Sequence, residues 1–83
     1  MVKLKDLRIH FDAGDLTKAT VVPAVMASPG EWQVQFKTRK GADVVMSKDK
    51  VRNGVVEVRI FKSADAALSA CKEVGFRKVD FNF

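Results

Sequence analysis

The chain predicts an α+β domain, a four- to five-stranded, mainly antiparallel sheet with one helix packed on one face. Three observations carry that expectation. Residues Glu31 to Lys37 alternate between apolar and polar without a break. Ser28-Pro29-Gly30 and Asn53-Gly54 supply strong turn chemistry. Residues 64–74 repeat at helical spacing, between a serine suited to capping and a glycine suited to closing. The predicted order is β-β-β-β-α-β.

Residues 2–11 read VKLKDLRIHF. Val2 and Leu4 alternate, and Leu7, Ile9 and Phe11 alternate on a shifted phase. A period of two predicts a strand, with a bulge or break near Lys5-Asp6. Asp12-Ala13-Gly14-Asp15 reads as a turn. Leu16 to Met26 is rich in Val and Thr and predicts a second strand. Pro23 lacks a backbone donor, which points to an edge strand or a bulge.

In Ser28-Pro29-Gly30, proline presets φ and glycine tolerates a positive φ, so a turn is predicted. The strand that follows places Trp32, Val34 and Phe36 on one face. Glu31, Gln33, Gln35 and Lys37 fall on the other, wet face. Arg39-Lys40-Gly41 predicts the next turn, and Ala42 to Ser47 a short strand. Asn53-Gly54 is a type I′ hairpin signal. Val55 to Phe61 then predicts a strand, with Val56, Val58 and Ile60 facing in and Glu57 and Arg59 facing out.

The period changes at Ser63, whose hydroxyl can accept from a free first-turn amide. Ala64, Ala67, Leu68, Cys71 and Val74 form one apolar stripe, predicting a helix over 64–74. Gly75 suits the residue that ends it, and Phe76 suits the hydrophobic contact of a C-terminal cap. Ala66, Ser69 and Ala70 fall on the predicted outward face, where small residues allow another element to approach. In the tail, Val79, Phe81 and Phe83 alternate with Lys78, Asp80 and Asn82, predicting a last strand over 77–82. A helix between two strands implies a crossover. Strands 55–61 and 77–82 should therefore be parallel, or separated in the sheet.

With 83 residues and 9.2 kDa, the chain has room for one domain, residues 1–83. Its 47% hydrophobic content is that of a globular protein. No apolar run approaches the ~20 residues that span a bilayer. The N-terminal stretch is charged but has no apolar centre, so it does not read as a signal peptide. A cytoplasmic location and no membrane association are expected. Cys71 is the one cysteine, and one Cys with one His cannot build a four-ligand zinc site. Cys71 lies on the apolar stripe and reads as core. His10 reads as a solvated surface residue. No motif supplies a nucleophile with its base, and there is no Gly-rich phosphate loop. No enzyme activity, metal or cofactor is expected.

The net charge is +5, and most of it sits in one segment. Lys37, Arg39, Lys40, Lys48, Lys50 and Arg52 stand against Asp43 and Asp49. Such a concentration is the footprint of a polyanion partner, although strand ends also carry Lys for solubility. It becomes a site only if the two turns that bear it lie at the same end of the sheet. Trp32 and Phe36 invite a base-stacking reading, but their alternation with polar neighbours favours a core face. Phe81 and Phe83 would complete the core or dock on a second subunit.

The C-terminal half has a further cadence. Gly30-Glu31-Trp32-Gln33-Val34 opens a strand, and Arg59-Ile60-Phe61-Lys62-Ser63-Ala64-Asp65-Ala66-Ala67 leads into a helix. Gly75-Phe76 then leads to Val79-Asp80. Over residues 30–80 this resembles the small plasmid partition-associated proteins of the ParC family. The resemblance implies a role in maintaining a plasmid or mobile element beside DNA-partition machinery, and it carries no catalytic residues.

Two functions are therefore expected to compete. In the first, a small basic protein, as a homodimer, associates with DNA or RNA without sequence specificity, using the six cations from Lys37 to Arg52 on phosphates. In the second, an adaptor or dimerisation module binds a partner protein through an exposed strand edge or the Ala-rich helix face, with no nucleic-acid contact.

Overall fold

In the computed structural model, which describes residues 1–24 and 30–82, seven elements follow in order. They are β1 (Val2–Lys3), α1 (Leu4–Asp12), β2 (Leu16–Pro23), β3 (Trp32–Thr38), β4 (Asp43–Ser47), α2 (Ala64–Val74) and β5 (Asp80–Phe81). The fold is α+β with a five-stranded mixed sheet in the order β1-β4-β3-β2-β5. β2, β3 and β4 form the expected antiparallel meander. β1 joins β4 and β5 joins β2, both in parallel.

The sheet has one dry and one wet face. Val21, Val34, Phe36 and Met46 point into a single core with Leu7 of α1 and Ala67, Cys71 and Val74 of α2. Both helices thus cover the same face. On the other face Thr20 pairs in register with Gln35, and Lys18 with Lys37. The alternation in β3 is as expected, with Val34 and Phe36 buried, Trp32 half-buried and Lys37 exposed.

Residues 4–12 form a helix where the alternation predicts a strand. The reason is burial. As a strand, Leu7, Ile9 and Phe11 would share one face. As a helix, Leu4, Leu7 and Phe11 fall on one stripe and Ile9 falls off it. Leu7 is fully buried, while Leu4 and Phe11 pack at the core margin and Ile9 lies in solvent. The phase slip near Lys5-Asp6 is the trace of the helical period. The helix start lacks a capping signal, because Lys3 occupies the N-cap and makes no side-chain bond there.

Segment 55–61 is the second departure. Val58 bridges Ser47 of β4, and Phe61 bridges Trp32 of β3, each antiparallel. β3 and β4 are themselves antiparallel. No straight strand can be antiparallel to both, so the segment bends between its two bridges and forms no regular ladder. Its predicted inward set fails for the same reason: Val56 is exposed, Val58 and Ile60 are half-buried, and Phe61 alone is buried.

Helix α2 has the predicted bounds. The Ala66 amide donates to Ser63 Oγ (3.1 Å), and the Phe76 amide donates to the Cys71 carbonyl (3.2 Å) across Gly75. Two details of its faces differ. Leu68 is only half-buried, and Ala70 is buried rather than outward, because α1 packs against α2. Ala66 and Ser69 do face solvent. The last strand shrinks to Asp80–Phe81 and lies beside β2, whereas residues 55–61 bridge β4 and β3. β2 is consequently not an edge strand. Pro23 is tolerated as its last residue, beyond the Thr20 and Val21 pairs that β5 makes. The predicted turn at Ser28-Pro29, the end of the strand at Val25 and Met26, and Phe83 lie outside the described residues.

Candidate functional site

The basic segment is divided by the fold. Lys37, Arg39 and Lys40 lie at the turn that joins β3 to β4. Lys48, Lys50 and Arg52 follow the other end of β4. Four steps of extended chain, from Asp43 to Ser47, separate the two ends by about 13 Å. That exceeds the ~8 Å over which exposed charges act at physiological salt. Three of the six cations are also matched locally: Lys37 by Asp43 (3.6 Å), Arg39 by Asp15 (3.4 Å) and Lys48 by Glu57 (4.0 Å). These pairs are exposed and worth little in stability, but they dilute the local field. Lys40, Lys50 and Arg52 carry no ion pair among the described residues.

A different feature assembles at the second end. Asn53 (φ 51°) and Gly54 (φ 74°) both take positive φ, as a type I′ turn requires. The Arg52 and Val55 amides exchange bonds with each other's carbonyls, at 3.1 and 2.8 Å. That register sets Val51 across from Val56. Both valines line a groove of about 300 Å³, bounded also by Met1 and Val2, by Asp6, Ile9 and His10 of α1, and by Lys3, Ser47 and Lys48. Met1, Ile9, Val51 and Val56 are each between 43% and 61% exposed. Exposed apolar side chains grouped in one concavity and rimmed by polar residues mark a candidate interaction site.

This groove is absent from the sequence expectations, though two signals for it are present. Once 4–12 is a helix, Ile9 stands off the buried stripe. Once Asn53-Gly54 sets the 52–55 pair, Val51 and Val56 become neighbours in a loop too short to bury them.

A second cluster lies near the first basic group. Asp15 holds His10 Nδ1 at 3.6 Å and Arg39 at 3.4 Å beside Lys40. It ties the end of α1 to the β3–β4 turn, a bracing role between exposed side chains. Cys71 is buried, and desolvation pushes its thiol up to about 11, so the reactive thiolate is suppressed. Among the described residues no three of His, Cys, Asp and Glu are grouped to hold a metal ion. No helix among them is long and apolar enough to cross a membrane. No protein-family model, curated protein or solved structure matches the chain.

Proposed function

We propose that this chain is a protein-interaction module that binds a partner through the groove between α1 and the 48–56 hairpin. One observation carries the reading. Of the exposed large hydrophobic residues among those described, Met1, Ile9, Val51 and Val56 line one concavity, and Val55 adjoins it in the same hairpin. Their exposure opposes solubility, and a partner that covers them removes the cost. The alternative, six cations acting together on a phosphate backbone, has less support because the fold separates them into two groups of three.

The test is selection of binders from a displayed random-peptide library, counter-screened on Ile9→Asp/Val56→Asp. Both sites are exposed, so the variant keeps its fold. Binders that require Ile9 and Val56 support the reading. No binder, or binders indifferent to the variant, reject it.

A further inference from the structure

We infer that the groove takes an acidic amphipathic peptide segment of another protein, with apolar side chains on the groove floor and carboxylates on its rim; this rests on the interaction reading above. The floor is apolar and about 300 Å³, near the lower end for ligand pockets, so it holds a few side chains rather than a folded surface. The rim sets the charge of the occupant. Lys3 on β1 and Lys48 at the end of β4 line the groove directly. Lys50 flanks Val51 in sequence and is exposed, as is Arg52 on its other side. Against these four cations stand Asp6 in the lining, Asp49 in the loop, and Glu57, which lies 4.0 Å from Lys48. His10 faces the groove from α1 and has Asp15 beside it. Asp15 is shared with Arg39, outside the groove, so the four cations and the three carboxylates Asp6, Asp49 and Glu57 leave a net charge of +1 around the apolar floor.

Other occupants fit less well. A second copy of this chain carries the same net charge of +5 and would bring cations against cations. Single-stranded nucleic acid needs aromatic platforms for its bases, and no Phe or Trp ring lines the groove. A lipid surface favours a protruding apolar face, whereas here the apolar residues surround a concavity. An acidic amphipathic segment satisfies floor and rim together, and the positive rim also speeds its encounter.

The experiment uses three synthetic peptides with the same apolar residues and with Glu, Gln or Lys at the intervening positions. Binding is followed by amide shifts of the isotope-labelled protein and by anisotropy of labelled peptide, at low and moderate salt. The Glu peptide should bind about three- to tenfold tighter than the Gln peptide, the range expected from a few exposed ion pairs. The Lys peptide should bind weakest, and added salt should narrow the differences. In Lys3→Glu/Lys48→Glu the order should invert, with shifts still at Ile9, Val51 and Val56. Equal binding by all three peptides overturns the acidic occupant and leaves the groove reading standing. No shift at Ile9, Val51 or Val56 with any peptide rejects the groove reading itself. Two control arms use phosphatidylserine vesicles and single-stranded DNA. If either moves the groove amides more than the Glu peptide does, the proposal is overturned in favour of that partner.

Discussion

Replacing Gly75 with alanine drives a methyl carbon into the ring of Phe11. A Cβ built at Gly75 would lie 2.5 Å from two Phe11 ring carbons, well inside van der Waals contact. The ring cannot easily yield, because Phe76 meets it edge-on at 4.8 Å and itself lies 5.7 Å from Phe36 in the core. The backbone adds a second cost, since Gly75 has φ +133°, a region that side chains with a Cβ resist. Strain at such a residue costs about 1–3 kcal/mol. Overpacking a filled site costs a similar ~1–3 kcal/mol. Gly75→Ala should therefore lose about 2–6 kcal/mol. A domain of this length holds roughly 4–12 kcal/mol in total, so the variant should unfold at far lower urea or be partly unfolded in water. Urea melts of Gly75→Ala, Phe11→Ala and the double variant separate the two terms. The clash portion, about 1–3 kcal/mol, should vanish in the double variant, while the backbone portion should persist. If Gly75→Ala melts like the parent, the packing of α1 on the end of α2 is wrong. Strict additivity with Phe11→Ala would refute the contact and leave only the cap.

The remaining predictions use simpler readouts. Phe36→Ala should cost about 3–5 kcal/mol, whereas Leu68→Ala, at a half-buried site, should cost about 1 kcal/mol; equal losses would contradict the observed burial. Ser63→Ala should cost about 1 kcal/mol through loss of the Ala66 bond, and no change in the melt would remove the cap from the account. The Cys71 thiol, raised from 9.0 to about 11 by burial, should resist a polar thiol reagent at pH 8 until denaturant is added, and fast native labelling would contradict its burial. Because the unfolded thiol ionises first, the native state holds its proton through that window, so stability should fall as pH rises from about 9 to 11. Cys71→Ala should lack this part of the loss, measured as the difference between two pH-dependent melts. Changing Arg39, Lys40, Lys48 and Lys50 together to Glu should alter mixed-sequence DNA or RNA binding only at low salt, because each end of β4 contributes separately; tight parent binding that persists at moderate salt and is lost in the variant would restore the single phosphate site.

Some of this architecture is local and legible in the chain. Ser63, the stripe through Ala67, Cys71 and Val74, and Gly75 specify α2, since caps and helical spacing act within a few residues. The alternation of Trp32 to Lys37 specifies β3 and its buried face, and Asn53-Gly54 specifies a type I′ turn through its two positive φ angles. Other features depend on what lies opposite. For residues 4–12 both periods are written in the sequence, and no capping side chain chooses between them. The helix prevails because it can bury Leu4, Leu7 and Phe11 against α2 and the sheet, a surface that no local rule describes. Segment 55–61 has strand-forming residues, but it meets two strands that run in opposite directions and must bend between them. The six cations from Lys37 to Arg52 are close in sequence, and an extended strand carries them apart. Ile9 is distant in sequence from Val51 and Val56, and the same strand ends bring all three to one groove. Propensity and capping are decided within a turn of chain, whereas the separation of charges and the meeting of apolar residues are set by where each strand begins and ends in the sheet.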